Sequence, residues 1–192
     1  MNYLIIGGSK SGKSEIGEKI ALSREPKSTI WCESLTQRTN VSRVIYIATM
    51  KAYDKEDEER IKRHVENRKG LNFTTIEVQR NLHEIVNNIK SNDTILIDSI
   101  TSLLTNEMFV GNKIIKNPSI NILNGLKQII IKAQNTVIIS DYIFIDSIEY
   151  DEVTNDFKKE LAILNKELAK LCENVMECSY GNAKYFKSSN IK

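Results

Sequence analysis

The chain has 192 residues, with 27 basic and 25 acidic side chains and a formal net charge of +2. This length predicts a single domain, residues 1–192, with a substantial core, and the near-neutral charge gives no reason to expect nucleic acid as a partner. Every apolar run falls short of the roughly 20 residues that a membrane-spanning helix needs, so we predict no membrane span. The three cysteines are widely spaced and form no C-x-x-C pair, which favours reduced thiols in a cytoplasmic protein.

The first predicted elements are a strand, a glycine loop and a helix. Residues 3–6 form a short apolar strand, and Ile16 and Ile20, one turn apart, indicate the helix. The loop between them, Gly7-Gly8-Ser9-Lys10-Ser11-Gly12-Lys13-Ser14, fits the phosphate-binding pattern G-x-x-x-x-G-K-[ST]. Its glycines let backbone N–H groups turn toward an anion, and the helix N-terminus adds its positive end. We therefore predict that Lys13 reaches the β- and γ-phosphates of a nucleotide and that the Ser14 hydroxyl binds Mg²⁺.

The rest of the chain alternates apolar strands with amphipathic helices, after an irregular polar stretch at 24–43 that is interpreted as a loop or small excursion. Strands are predicted over 44–49, 73–78, 94–98 and 136–139, with closing strands at 175–179 and 183–186. Helices are predicted over 54–68 with Asp54 as the N-cap, 82–89, 100–109, 122–133 and 157–172, and a turn region over 111–119. This alternation predicts an α/β protein, a three-layer P-loop NTPase fold with a mostly parallel sheet flanked by helices; the strand order stays open.

Two aspartates follow predicted strands and are candidate metal ligands. Asp98 ends the fourth strand, where a carboxylate can hold Mg²⁺ directly or through water. The alternative is that Asp98 caps the helix that begins near Ser99. Asp141, which ends the fifth strand, is a second candidate.

A charged helix carries the candidate nucleophile. Arg60, His64 and Arg68 are four residues apart and form one stripe, with Ile61 and Val65 beside it to pack against the body. The two arginines disfavour a protonated imidazole, which would keep His64 neutral near pH 7. A neutral imidazole can attack an α-phosphate and form a covalent phosphoramidate. The alternative is a solvated histidine without a catalytic role.

Together these motifs resemble the bifunctional adenosylcobinamide kinase / adenosylcobinamide-phosphate guanylyltransferase family of cobalamin biosynthesis. The resemblance rests on the glycine loop, Tyr46-Ile47-Ala48-Thr49, the R-I-x-x-H-x-x-x-R pattern from Arg60 to Arg68, Glu77, the segment Leu96-Ile97-Asp98-Ser99-Ile100-Thr101, and Phe157 with Asn165. It implies a RecA-like P-loop core, a homo-oligomer that is trimeric in the family, and a corrinoid substrate, adenosylcobinamide.

The resemblance also implies two reactions and a set of site residues. One reaction phosphorylates adenosylcobinamide with a nucleoside triphosphate, GTP or ATP. The other transfers GMP from GTP to that phosphate through a guanylylated histidine, a position that His64 matches, and Lys13 assists catalysis. Ser14 and Asp98 are the expected Mg²⁺ ligands. The implied nucleotide contacts are Gly7, Gly8, Ser9, Lys10, Ser11, Gly12, Lys13, Ser14, Ala48, Thr49, Met50, Val65, Glu66, Asn67, Arg68, Glu77 and Asp98.

The chain departs from the family pattern at three places. Lys69 stands where the family has proline, residues 25–42 resemble an insertion, and residues 141–149 replace a segment that carries glycines and a proline in the family. Two other functions therefore stay open. One is a P-loop small-molecule kinase without guanylyl transfer, and the other is a non-catalytic nucleotide-binding protein.

Overall fold

The computed structural model describes residues 1–23, 43–144 and 148–189. The insertion predicted at 25–42 lies outside the described residues, as does the irregular stretch predicted at 24–43 except for Arg43. The strands are β1 Asn2–Gly7, β2 Val44–Ala48, β3 Phe73–Glu77, β4 Thr94–Asp98, β5 Phe109–Val110, β6 Lys113–Ile114, β7 Asn135–Asp141, β8 Asn174–Ser179 and β9 Asn182–Lys187. The helices are α1 Lys13–Ser23, α2 Lys55–Asn67, α3 Ile100–Met108, α4 Ser119–Lys132 and α5 Glu152–Leu171, together with a 3₁₀ helix at Leu82–Asn88.

Seven strands form the central sheet, in the order β3-β2-β4-β7-β1-β8-β9. In this order across the sheet, the first six strands are each parallel to their neighbours. The last strand, β9, is antiparallel to β8. The predicted α/β class with a mostly parallel sheet is confirmed. Because parallel strands end at a common edge, the carboxyl ends of β1, β2, β4 and β7 lie side by side, which is where ligands bind in open α/β sheets.

Both faces of the sheet are covered, which is why the parallel strands read as nearly continuous apolar runs. On one face α1 packs through Ile16, Ile20 and Ala21 against a cluster that includes Tyr46 and Leu96. On the other face the 3₁₀ helix, α3, α4 and α5 pack against a larger cluster. The result is the predicted three-layer arrangement. Among the described helices, none has the length and apolar character needed to cross a bilayer.

Three local predictions differ from the structure. The helix predicted at 82–89 is a 3₁₀ helix, and α4 approaches it so closely that a Cβ at Gly125 would lie 3.1 Å from the His83 backbone nitrogen. The predicted turn region, 111–119, contains β6, which pairs with β5 just before that region, and the hairpin turn uses the positive φ of Gly111, 58°. Helix α5 begins at Glu152 because the Asp151 side chain accepts a hydrogen bond from the Thr154 N–H, a cap that the apolar periodicity does not reveal.

Candidate active site

The glycine loop connects the end of β1 to the first turn of α1. A Cβ at Gly7 would lie 2.5 Å from Ser11 Oγ and 2.6 Å from the Cys178 carbonyl oxygen, so the loop has no room for a side chain there. Gly12 has a φ of 90°, which L-residues with side chains rarely adopt. At Gly8, by contrast, a Cβ would meet no described atom within 4 Å. The loop therefore leaves no space for a side chain at Gly7, but it has free space around Gly8.

The end of β8 and the turn that follows it hold the glycine loop through two hydrogen bonds. The Gly181 N–H donates to the Ser11 carbonyl oxygen at 2.8 Å, and the Cys178 thiol donates to the same oxygen at 3.0 Å. Both closing strands were expected, but this contact was not. Cys178 is 167 residues from Ser11, so no local spacing could have indicated it.

Lys13 lies against Asp141 inside the loop. Lys13 Nζ is 2.6 Å from Asp141 Oδ1 and donates to the Gly8 carbonyl oxygen at 3.0 Å. The Asp141 backbone is fixed in turn, because its N–H donates to Thr101 Oγ1 and its carbonyl oxygen accepts from Asn165 Nδ2. The second metal candidate is thus the partner of the loop lysine in this structure. The pair places the Lys13 ammonium at the sheet edge where phosphates would bind.

Asp98 ends β4 at the same edge. Its Oδ2 accepts a hydrogen bond from the Tyr46 hydroxyl at 2.9 Å. Helix α3 is capped by Ser99, whose side chain accepts from the Ser102 N–H, so the capping alternative for Asp98 is wrong. The β2 register pairs Ala48 with both Asp98 and Glu77. Three of the expected nucleotide-contact positions therefore lie in one row across the sheet.

The residues that follow β2 are also fixed by hydrogen bonds. Thr49 is fully buried, donates through Oγ1 to the Ser99 carbonyl oxygen at 2.7 Å, and accepts from the Ser99 N–H at 2.8 Å. Asn106 Nδ2 donates to the Thr49 carbonyl oxygen at 2.8 Å, and the Tyr53 hydroxyl donates to Asn106 Oδ1 at 2.8 Å. Met50 follows as a half-buried residue. These bonds set the path by which the chain leaves the sheet and enters α2.

Helix α2 carries His64 near Asp98. Its predicted N-cap is confirmed. Burial lowers the pKa of the half-buried His64 imidazole below its ordinary value of 6.5, and Arg68, Arg60 and Arg63 lower the pKa further, while Asp98 acts in the opposite direction. The expected effect of neighbouring arginines is confirmed, and the Asp98 carboxylate was not foreseen as a neighbour. The structure brings His64, Asp98 and Arg68 into one cluster.

Helix α2 has exposed or half-buried side chains throughout, whereas the residue that follows it is buried. All thirteen of its side chains are at least partly exposed, and Val65 is 49% exposed, so the expectation that Val65 packs against the body is wrong. Glu66 and Asn67 are also exposed. Arg68, which follows the helix, is only 8% exposed, and its guanidinium carbon lies 3.7 Å from the centroid of the Tyr46 ring. A planar cation can stack there at little cost.

Sequence reasoning missed two members of this cluster. Tyr46 lies two residues before Ala48 and so shares its face of β2, a spacing that could have indicated it. Glu18 lies four residues after Ser14 on α1 and shares its helix face. Burial raises the pKa of Glu18, Asp98 raises it further, and Arg68 acts in the opposite direction. Glu18 therefore contributes a carboxyl group to the same cluster.

The donor chemistry of the site suits a hard cation. Within the described residues, no group of three or more His, Cys, Asp or Glu side chains could hold a metal ion. Mg²⁺ does not require such a group, because it binds through one or two protein oxygens while water and substrate phosphates complete its shell. The Ser14 hydroxyl and the Asp98 carboxylate are oxygen donors of this kind.

A glycine loop that ends in Lys-Ser at a helix N-terminus, at the carboxyl edge of a parallel sheet, defines the class of P-loop nucleotide-binding folds. Comparison with known proteins then gives the family. The model of the cobinamide kinase / cobinamide phosphate guanyltransferase family matches residues 3–185, and the chain belongs to that family. The resemblance drawn from the motifs is confirmed.

One curated relative supports this assignment. The chain is 29% identical over 110 residues to the bifunctional adenosylcobalamin biosynthesis protein CobU of Escherichia coli strain K12. The aligned region covers 57% of this chain and 51% of that relative, so the match spans about half of the relative's length.

Proposed function

We propose that this protein is a bifunctional enzyme of cobalamin biosynthesis. It phosphorylates adenosylcobinamide with ATP or GTP, and it transfers GMP from GTP to adenosylcobinamide phosphate through a guanylylated His64, giving adenosylcobinamide-GDP. The observation that carries the proposal is geometric. Tyr46 donates to Asp98 at 2.9 Å, and Arg68, one helical turn after His64, stacks 3.7 Å from the same ring, in a chain that belongs to the cobinamide kinase family.

In the kinase step, the backbone N–H groups of residues 7–14 surround the phosphates of the nucleotide. Lys13 exchanges the Asp141 carboxylate for phosphate oxygens and stabilises the charge that develops on them. Ser14 and Asp98 would hold Mg²⁺, which supplies neutralisation of the phosphate charge. The substrate hydroxyl loses its proton to solvent as its oxygen bonds to the γ-phosphorus, and the bond from that phosphorus to the bridging oxygen breaks, which releases the nucleoside diphosphate.

In the guanylyl step, a ring nitrogen of neutral His64 attacks the α-phosphorus of GTP and pyrophosphate leaves. The lowered pKa of His64 supports this role because it keeps the nitrogen lone pair free near pH 7. Arg68 supplies positive charge beside the same cluster. An oxygen of adenosylcobinamide phosphate then attacks the phosphoramidate and releases His64. The remaining implied nucleotide contacts, such as Glu77 at the end of β3, belong to this proposal as well.

We further propose that the protein works in the cytoplasm as a homo-oligomer, with a trimer as the first arrangement to test, and without nucleic acid. The described cysteines, Cys172 and Cys178, are buried free thiols, which suits a reducing compartment. The exposed Val65 side of α2 offers a surface that a neighbouring subunit could cover.

The transferase step is tested by incubating the protein with α-labelled GTP and Mg²⁺. We expect label to remain on the protein, to be labile to acid and stable to base, and to be absent from His64→Ala. His83→Ala is the matched control, because His83 is the other histidine of the chain and is exposed on the 3₁₀ helix. It should label like the wild-type protein.

The same preparation distinguishes the alternatives. Label that persists in His64→Ala, or is missing from the wild-type protein, contradicts the guanylyl-histidine step. Phosphorylation of adenosylcobinamide without any protein label would indicate the small-molecule kinase. GTP binding without either product would indicate the non-catalytic protein.

A further inference from the structure

We infer that Tyr46 is a positioning residue that holds Asp98 and Arg68 together, and thereby joins the metal-binding edge of the glycine loop to the helix that carries His64. The inference rests on the proposed function, because it assigns Asp98 to the Mg²⁺–phosphate side of the site and Arg68 to the side of the nucleophile. Tyr46 stands in the β2 segment that carries part of the family resemblance, but the nucleotide contacts which that resemblance implies begin at Ala48 and assign Tyr46 no role.

The hydroxyl of Tyr46 fixes Asp98. Tyr46 is 3% exposed and lies on the face of the sheet that α1 covers. Its register partner on β4 is Leu96, and Asp98 is two residues further on the same face, where Oδ2 accepts the hydroxyl proton at 2.9 Å. Asp98 therefore has one oxygen oriented before any ligand binds.

The ring of Tyr46 supports Arg68. The Phe73 ring meets it edge-on, with centroids 5.8 Å apart at 71°, which fixes the plane of the tyrosine. The guanidinium carbon of Arg68 lies 3.7 Å from the ring centroid. Arg68 Nη1 is buried and has no hydrogen-bond partner among the residues that the structure describes. A buried donor left unpaired is costly, so this nitrogen is a ready donor for an anionic group such as a phosphate oxygen.

One side chain thus contacts both halves of the site through different atoms. The hydroxyl acts on Asp98, and the π-face acts on Arg68 and hence on the end of α2. The alternative is that Tyr46 is an ordinary core residue and that Asp98 only satisfies its buried hydroxyl. The two interpretations differ in what removal of the hydroxyl alone should do.

Two variants separate the two contacts. Tyr46→Phe keeps the ring under Arg68 and removes the hydrogen bond to Asp98, whereas Tyr46→Leu removes both. The matched control is Tyr3→Phe. Tyr3 is also 3% exposed, belongs to the same core cluster, and directs its hydroxyl to Met1 Sδ at 3.1 Å. Tyr3→Phe therefore measures the cost of removing a buried tyrosine hydroxyl away from Asp98.

The first measurement is the affinity for GTP by calorimetry, with and without Mg²⁺, which needs no turnover. With Mg²⁺ present, we expect the GTP affinity of Tyr46→Phe to fall about tenfold, because the net contribution of a hydrogen bond to a charged group corresponds to a change of about that size. Without Mg²⁺, the GTP affinity of Tyr46→Phe should equal that of Tyr3→Phe. Tyr46→Leu should lose affinity under both conditions, since Arg68 loses its support as well.

The second measurement is kinetic: kcat and KM are determined for phosphoryl transfer, and the rate of guanylylation is determined for His64. We expect Tyr46→Phe to lower kcat for phosphoryl transfer and to leave the rate of His64 guanylylation within about threefold of the control. Tyr46→Leu should lower both rates.

The inference is wrong if Tyr46→Phe matches Tyr3→Phe in Mg²⁺-dependent GTP affinity and in kcat. It is also wrong if Tyr46→Phe impairs binding equally with and without Mg²⁺, since the hydroxyl would then have only a structural role. Failure of the proposed function looks different. The wild-type protein would then show neither reaction, while the calorimetric comparison would still test Tyr46.

Discussion

The ion pair between Lys13 and Asp141 leads to a prediction that runs against the usual effect of removing a charge from a site. The two side chains are 10% and 24% exposed, and their charged atoms are 2.6 Å apart. A nucleotide phosphate must take the place of this carboxylate on Lys13. Asp141→Asn should therefore destabilise the empty protein and strengthen nucleotide binding.

The magnitude follows from the geometry. A hydrogen bond between charged groups contributes a net 1.5–3 kcal/mol, roughly. Because asparagine keeps a polar contact with Lys13, we take the lower end, about 1.5 kcal/mol. In a chain of this length that corresponds to a fall in Tm of roughly 3–6 °C without ligand. The bound protein does not use the pair, so the same energy should tighten the Kd for GTP about tenfold.

The assay combines calorimetry with thermal melts at several GTP concentrations in Mg²⁺. The control is Asp156→Asn, which removes a carboxylate that is also 2.6 Å from a lysine, Lys116, but whose partners are 33% and 66% exposed. Such exposed pairs contribute little, so its Kd should equal that of the wild-type protein. If Asp141→Asn instead weakens Mg²⁺-dependent binding, Asp141 is a metal ligand, as the sequence analysis allowed. That result would refute the reasoning that phosphate displaces the Asp141 carboxylate from Lys13.

Three further predictions use single residues. Labelling of His64 by α-labelled GTP should fall to half only below pH 6.5, because its lowered pKa means that the imidazole takes up a proton later as the pH drops; a half-point above 6.5 would contradict this. Gly7→Ala should lose roughly 1–3 kcal/mol of stability, because the new Cβ would lie 2.5 Å from Ser11 Oγ. Gly8→Ala should have the Tm of the wild-type protein and bind nucleotide less tightly. Equal Tm values for the two variants would refute the clash. Cys172, whose pKa burial raises to about 12, should resist alkylation at pH 8 until the protein unfolds, and rapid labelling of the native protein, located by peptide mapping, would be the opposite result.

The sequence predicts most of the fold because the strands carry its strongest signal. Residues 95–97 are apolar between Thr94 and a terminal aspartate, and the structure has β4 over Thr94–Asp98 as predicted. The charged run that begins at Asp54, with acidic residues in its first turn, predicts α2 and its N-cap equally well. Periodicity does not distinguish an α-helix from the 3₁₀ helix at Leu82–Asn88, because both place apolar side chains three or four residues apart on one face. Strand order is also absent from local pattern, since it depends on pairings between distant segments.

The candidate site is predictable where chemistry is encoded in spacing, and unpredictable where it depends on neighbours across the sheet. The glycine loop and the His64 stripe are local patterns, so both are found. The partner of Lys13 is not found, because Gly7 and Asp141 become neighbours only through the pairing of β1 with β7. Likewise, no pattern in the helix predicts that Asp98 lies near His64.

The place of β1 in the sheet affects how the chain can fold during its synthesis. Strand β1 ends up between β7 and β8, which both follow it in the chain, and the loop after β1 is held by the Gly181 N–H. At roughly 5–20 residues per second, the emerging chain spends many seconds with this apolar strand lacking both neighbours. Nucleotide binding cannot stabilise the nascent chain in that interval, because the Gly181 N–H that holds the phosphate-binding loop has not yet been synthesised. Chaperone contact with β1 is therefore expected to last until β8 and the turn that follows it have been synthesised.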